Sequence, residues 1–422
     1  MLQLKTKELG KLIKFILPCI ICLSYSCSRK TMTEESLEYR AKMIHEHVMT
    51  LDSHTDTPMH LMHGGSTLRG NSAGNQQKGK VDLIRMMTGG LDAAFFAVFI
   101  GQGERTPEGN AKAIERAIEI FDTITAAVSR EKDLCSLALT PQDAYRLKKE
   151  QKKAIYIGIE NGYALGDDVG MVSIYYEKGA RYITLCHTKN NDLCDSSTDK
   201  NGPDNDGLSE LGKEVVKEMN RIGMMIDVSH MSDKSFVDVI ALSKAPVIAS
   251  HSCARAICNN PRNLTDDDLR LLARNGGVIQ VCLLSDYLRI PQPYPERDSA
   301  QKAVNLKYKD FVGLSDEEYK KGIEEWHAID IKYPPRLASV NDLVDHIDHI
   351  VKVVGIDYVG IGSDFDGGGE LSDCQDVSQM GNITLELVRR GYSEEQIRKI
   401  WGGNFMRVFG EVERVSKQLK NL

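Results

Sequence analysis

The sequence predicts an α/β fold, a (β/α)8 TIM-type barrel with a helical insertion between its seventh and eighth strands. Three observations carry this. Eight short apolar runs, rich in β-branched and aromatic residues and apolar on both alternating sets of positions, recur along the chain, as strands buried on both faces do. Most intervals between them hold a helix-like stretch, such as NAKAIERAIEIFDTITAAV after the second run and LSELGKEVVKEMNRIG before the fifth. The interval 285–355 is too long for one crossover and carries YLRIPQPYPERDSAQKAV, rich in Pro and charge. Strand and helix in alternation also permit an open doubly wound sheet; eight units favour the barrel.

Taken in chain order, the first element is a leader. MLQLKTKELGKLIK is lysine-rich, and FILPCIICLSYSC follows as an apolar run ending in small residues, so 1–27 reads as a signal peptide too short to span a membrane stably. Leu23-Ser-Tyr-Ser-Cys27 resembles a bacterial lipobox, with Tyr25 an unusual occupant, and predicts cleavage before Cys27 and lipidation on it. Ordinary signal cleavage near the same point is the alternative. Both predict export, and the first an anchor in the bacterial envelope, facing the periplasm or on the outer membrane. Residues 28–40 read as a polar tether, with a helical look from Ser36 to His47, and 41–422 as a single domain. The eight strands are VMTLDSH (48–54), DAAFFAVF (92–99), AIYIGIE (154–160), RYITLCH (181–187), GMMIDVSH (223–230), APVIASH (245–251), GVIQVCL (277–283) and YVGIGSD (358–364).

Composition narrows the function. With 422 residues, 41% hydrophobic and 27% charged, the chain can bury a large core. Its net charge of −7 comes from interspersed charges without a long basic run, which argues against nucleic acid and for a small-molecule partner. Of ten cysteines, Cys19 and Cys22 belong to the leader and Cys27 to the lipid site. The other seven are an odd number in a chain large enough to need no staples, so no obligatory disulfide framework is expected.

The chemistry sits at the strand ends. The first run ends in His54, with Asp56 just beyond; the third ends in Glu160, the fourth in His187, the fifth in His230, the sixth in His251 and the eighth in Asp364. In a barrel these C-terminal ends meet at one mouth. A lone His at a strand end is usually structural, but carboxylates crowded beside histidines out of water need compensation, and a divalent cation supplies it. Three His, one Asp and one Glu exceed the set for one tetrahedral zinc and suit two ions sharing a ligand. Glu160, whose two oxygens can bridge, is the natural shared one; His54 and Asp56 then serve one ion, His230 and His251 the other. The donors favour zinc, with manganese, cobalt or iron able to substitute. Two such ions, about 3.5 Å apart, can hold a bridging hydroxide and polarise a carbonyl, which is hydrolytic chemistry.

Other candidates are set aside. His346 and His349 fall on the polar face of the amphipathic VNDLVDHIDHIVKVVG and read as solvated. His45, His47, His60, His63 and His327 receive no role. Asp204-Asn-Asp206-Gly and Asp364-Phe-Asp366-Gly lack the spacing and closing Glu of a calcium loop, and Asp366 is read as structural.

LDSHTDTP, GIENG, TLCHTKNND, IDVSHMSD, PVIASHS followed by PRNLTDD, GIGSDFDG and the tail RRGYSEEQIRKIWGGNFMRVF together resemble the motifs of the membrane (renal) dipeptidase family of binuclear zinc peptidases, over about Asp52 to Phe409. The resemblance implies a (β/α)8 barrel of the amidohydrolase type that hydrolyses dipeptides, often with a D residue at the C-terminal position. It implies two zinc ions on His54, Asp56, Glu160, His230 and His251, the same set as the spacing. It adds His187 as the group that stabilises the oxyanion, Arg262 as the holder of the substrate carboxylate, and Asp364 as the proton carrier between the attacking water and the leaving amine. Dimers are common among such relatives, which makes a homodimer an expectation by analogy. Asn161 after Glu160, the run Lys-Asn-Asn-Asp-Leu-Cys after His187, and Leu283-Leu284-Ser285 in place of a tyrosine depart from the family pattern and touch the pocket wall. Two other readings stand beside this one: another amide hydrolase on the same frame, such as an N-acyl amino acid deacylase or a β-lactam hydrolase, and a catalytically inactive peptide-binding lipoprotein.

Overall fold

The computed structural model describes residues 33–62, 67–70, 79–311 and 314–421. The leader 1–27 with Cys27, residues 28–32 of the expected tether and His63 lie outside the described residues. The chain divides into two units, Met1–Tyr39 and Arg40–Leu422. A helix, Glu34–His47, begins inside the stretch expected as tether, with Glu34 and Glu35 in its first turn, where the free amides favour negative charge.

Among the described residues nine strands make one parallel sheet: β1 (Leu51–Thr55), β2 (Ala93–Phe99), β3 (Cys135–Leu137), β4 (Lys153–Glu160), β5 (Ala180–Thr184), β6 (Met225–Asp227), β7 (Ile248–Ser252), β8 (Val278–Cys282) and β9 (Val359–Gly362). Their order is β1-β2-β4-β5-β6-β7-β8-β9. Just past β9 the chain returns to β1, Asp364 N donating to His54 O at 3.0 Å and Asp56 N to Phe365 O at 2.8 Å, so eight strands come close to a closed barrel. The sequence did not single out β3, which is three residues long and pairs with β4 ahead of the point where β5 takes over that edge. Inside, Phe95 stacks on Tyr156 at 4.7 Å and on Tyr182 at 5.2 Å, and the C-terminal helix Asn404–Leu419 adds Phe405 and Phe409 to the same apolar cluster.

Several strands stop short of the ionisable residue expected to end them: β5 at Thr184, β6 at Asp227 and β9 at Gly362. At β6 and β9 buried carboxylates capture the amides that would otherwise extend the ladder. Asp52 Oδ1 accepts from Ser363 N at 2.8 Å and His54 N at 3.2 Å, and Asp227 Oδ1 accepts from Ser229 N at 3.0 Å and Ser250 N at 2.9 Å. Past those points His230 and Asp364 take left-handed backbone, φ +71° and +60°, which no strand accommodates. The expected insertion holds the helices Ser285–Leu288, Pro295–Lys307 and Asp316–Lys332 between β8 and β9. Val304, Tyr308 and Ile329, with Phe311, Trp326 and Tyr333 against them, give it a small core of its own.

His346 corrects the solvated reading. It is fully buried, its Nδ1 accepting from Ala254 N at 3.0 Å and its Nε2–H donating to Leu288 O at 2.8 Å. The helical stripe placed it on the polar face, but the loops after β7 and β8 cover that face. His349 is half-buried and faces Asp266 at 2.7 Å. Burial lowers the pKa of His346 and of His45, which is also buried, against Thr384 and Gly89 O. Both are neutral in the fold and protonate more readily once unfolded, so the unfolded chain binds more protons and stability falls as pH drops below about 6.5. Melting curves between pH 7.5 and 5.5 should show this fall, and His346→Gln, which can keep both hydrogen bonds, should flatten it; an unchanged slope would remove His346 from the account.

The seven described cysteines are all free and buried. Among the described residues no helix is long and apolar enough to cross a membrane.

Candidate metal centre

The barrel mouth gathers every described residue expected at the site. His54 projects from β1, Asp56 follows it, Glu160 ends β4 and His251 sits in β7, while His187, His230 and Asp364 lie in the turns after β5, β6 and β9. Glu160 stands in the middle with its two oxygens divided. Oε2 lies 3.4 Å from His54 Nε2; Oε1 lies 3.0 Å from His230 Nε2, 3.5 Å from His251 Nε2 and 3.8 Å from His187 Nε2. His54 Nε2 is also 3.8 Å from Asp56 Oδ2 and 4.0 Å from Asp364 Oδ1. Among the described residues three donor triads result, each with its ligand atoms within 4.8 Å: His54, Glu160, His251; Glu160, His187, His230; and His54, Asp56, Asp364. His251 shares a triad with His54, on whose ring it stacks at 4.0 Å, so the division of ligands is less clean than sequence order implied.

These donors fit divalent ions. His54 Nε2 and Asp56 Oδ1 are buried and lack a hydrogen-bond partner among the described residues, although carboxylate oxygens stand just beyond bonding distance of the imidazole. His230 Nε2 and His251 Nε2 face each other at 2.8 Å, two nitrogens aimed at one point. Burial, then the charge of Glu160, raises the pKa of Asp56; burial, then Asp56, raises that of Asp364 well above the carboxylate range. Burial lowers His230 and His251 well below the imidazole range, helped by the positive charge of Arg262. His54 goes the other way: burial opposes its charge, but the Tyr182 oxygen and the Glu160 and Asp56 carboxylates outweigh it. Imidazole nitrogens and carboxylate oxygens this close, held out of water, are the donor set of zinc and its neighbours.

The remaining residues surround this cluster. Arg262 is buried rather than on the surface, its Nη2 donating to His251 O at 3.2 Å while Nε has no partner among the described residues. His187 packs against the edge of Phe99 at 4.8 Å, and burial followed by the Arg262 charge pushes its pKa down to about 3. Asp364 lies with its Oδ2 3.9 Å from the Cys282 thiol. A side chain at Gly367 would overlap Asp56 Oδ2 and Asp364 Oδ1, so this glycine lets the two carboxylates converge. Asp366 has the expected structural role, accepting from Lys80 N at 2.6 Å and Thr57 Oγ1 at 2.9 Å.

Three features escaped the sequence reading. Tyr287, two residues past the tyrosine-free Leu283-Leu284-Ser285, lies 5.2 Å beneath the Arg262 guanidinium. Ser250 Oγ accepts from His251 Nδ1 at 2.8 Å and donates to Asp227 at 2.6 Å, fixing which ring nitrogen of His251 faces the cluster. Tyr182 touches His54 from behind. For Asp227 and Ser250 a signal existed: both are polar residues inside apolar strands.

Residues 38–422 match the family model described as membrane dipeptidase, peptidase family M19. The chain is 32% identical over 349 residues to the dipeptidase tcpJ of Claviceps purpurea, covering 82% of this chain and 72% of that one. It is 31% identical over 402 residues to the dipeptidase verJ of Clonostachys rogersoniana, covering 93% and 91%. Among solved structures it resembles the probable dipeptidase PvdM of Pseudomonas aeruginosa, with a TM-score of 0.74, 33% identity, and coverage of 90% of this chain and 99% of that one. The chain belongs to the membrane dipeptidase family, peptidase family M19.

Proposed function

We propose that this chain is a zinc-dependent dipeptidase carrying two ions, one on the His54 and Asp56 side and one on the His230 and His251 side, with Glu160 between them. The observation that carries the reading is the division of the Glu160 oxygens between His54 and the His230–His251 pair, beside a buried arginine. Ions bound there would activate a water and polarise the scissile carbonyl.

The protein's own groups do the rest. Arg262 pairs with the substrate's free carboxylate, and this sets the length of peptide accepted, because the C-terminus must sit one residue from the reacting carbonyl. His187, a neutral imidazole at the mouth, donates an N–H to the oxygen that gains charge as the carbonyl is attacked. Asp364 takes the proton of the attacking water and returns it to the departing amine. On the family resemblance the reading includes dipeptides ending in a D residue. On the sequence of the leader it includes export to a bacterial envelope and anchoring through a lipid on Cys27, and by analogy with relatives a homodimer.

The test is turnover by the full-length chain of L-L, L-D and carboxamide-blocked dipeptides, with zinc and with a chelator. Zinc-dependent cleavage that disappears on blocking the carboxylate is expected. Arg262→Met should raise KM by roughly 30-fold or more, the effect of about 2 kcal/mol or more for a buried charge pair losing one partner. Equal cleavage of acid and carboxamide would favour the wider amide hydrolase, and zinc uptake without turnover the inactive binding protein.

A further inference from the structure

Each of the three imidazoles read as metal ligands, His54, His230 and His251, must present a bare Nε2 and so carry its proton on Nδ1, and what holds that proton differs among them. For His251 it is Ser250, tied to Asp227. The buried Nδ1 of His230 has no partner among the described residues. For His54 it is a phenol: Nδ1 lies 2.9 Å from Tyr182 Oη, and the same oxygen lies 3.2 Å from the carbonyl of Ser53.

A ligand His54 with a bare Nε2 carries its hydrogen on Nδ1, and a carbonyl oxygen only accepts, so the single hydrogen of the Tyr182 hydroxyl goes to Ser53. The phenol oxygen then has only lone pairs to offer His54, and Nδ1 must be the donor. With its hydrogen on Nδ1, a neutral His54 presents the lone pair of Nε2 toward Glu160, Asp56 and Asp364. Tyr182 is fully buried, and Phe95 stacks on its ring at 5.2 Å. Its neighbour across the strands is Gly158, and any side chain there would occupy the space of the phenol ring. The notch at Gly158 and the carbonyl of Ser53 together fix the hydroxyl behind His54.

We infer that Tyr182 is a positioning residue that selects the His54 tautomer, and so sets the affinity of the ion on the His54 and Asp56 side. The inference rests on the metal-centre reading proposed above. It predicts that loss of one oxygen, deep in the barrel and out of reach of any substrate, changes metal binding rather than folding.

The test is Tyr182→Phe in the full-length protein, which keeps the ring and its stacking on Phe95. Zinc is titrated into metal-free protein against a chromophoric chelator, and thermal melting of the metal-free form is followed in parallel. Expected is a weakening of about 10- to 100-fold for one of two ions, the usual effect of losing the partner of a ligand histidine, with the other ion little changed. Gly158→Ala, which displaces the ring while leaving its hydroxyl present, should weaken the same ion. Two zinc ions bound by Tyr182→Phe with wild-type affinity would overturn the inference, as would a lowered melting temperature with unaltered zinc affinity, which marks a purely structural hydroxyl. Wild-type protein that takes up no zinc would overturn the metal-centre reading, and this inference with it.

Discussion

Glu160→Gln is expected to lower kcat/KM by at least about 10³-fold and to reduce the zinc retained to one ion or none per chain. Its two oxygens reach the two halves of the cluster, one 3.4 Å from His54 and the other 3.0 Å from His230. An amide offers one oxygen and no charge, so one half loses its carboxylate while the other keeps a weaker ligand. Removing a single preorganised electrostatic group costs about 10²–10³ in rate, and here the lost charge serves both sides. The fold should survive: in the metal-free protein Glu160→Gln gives up the pairing with His54 but relieves the repulsion of Glu160 on Asp56 and Asp364, so it is expected to melt close to the temperature of the metal-free parent. Melting curves and metal analysis on one preparation check both points. A variant that loses activity while keeping two tightly bound ions would deprive Glu160 of its central place.

That Glu160 could be found in the sequence follows from the geometry of parallel strands. A barrel strand is apolar until it reaches the mouth, so an ionisable residue closing an apolar run is conspicuous, and His54, Glu160 and His251 all stand there. His187, His230 and Asp364 were legible by type but not by conformation. The apolar pattern cannot reveal that Asp52 and Asp227 end the ladders, nor that His230 and Asp364 turn into left-handed backbone to aim inward. Positive φ in non-glycine residues is a cost that functional sites tolerate.

Other features depend on contacts between segments far apart in the chain. Arg262 emerged only from the family resemblance, because its burial rests on a bond to the His251 carbonyl and a tyrosine from beyond β8. A helical wheel cannot see that His346 is covered by the loops carrying Ala254 and Leu288. Tyr182 had the look of an ordinary strand aromatic; its second use follows from its neighbours, the glycine opposite and the histidine above.

The backbone at Asp364 also decides which substitution tests its role. Asparagine tolerates left-handed conformation nearly as well as aspartate, whereas alanine would add strain, so Asp364→Asn separates chemistry from folding. It is expected to lower kcat by about 10²–10⁴-fold, the usual contribution of a positioned acid–base group, with a smaller change in KM. Asparagine keeps an oxygen near His54 and removes one of the like charges crowded beside Asp56, so zinc uptake should persist. The discriminating measurement uses two substrates. A dipeptide releases a basic amine that needs a proton as it leaves; an anilide with a free carboxylate releases a weakly basic amine that needs it far less. If Asp364 returns the proton, the anilide loses less rate than the dipeptide in Asp364→Asn. Equal losses on both would place the role of Asp364 before bond cleavage, in taking the proton from water, and undiminished kcat on both would remove it from the reaction.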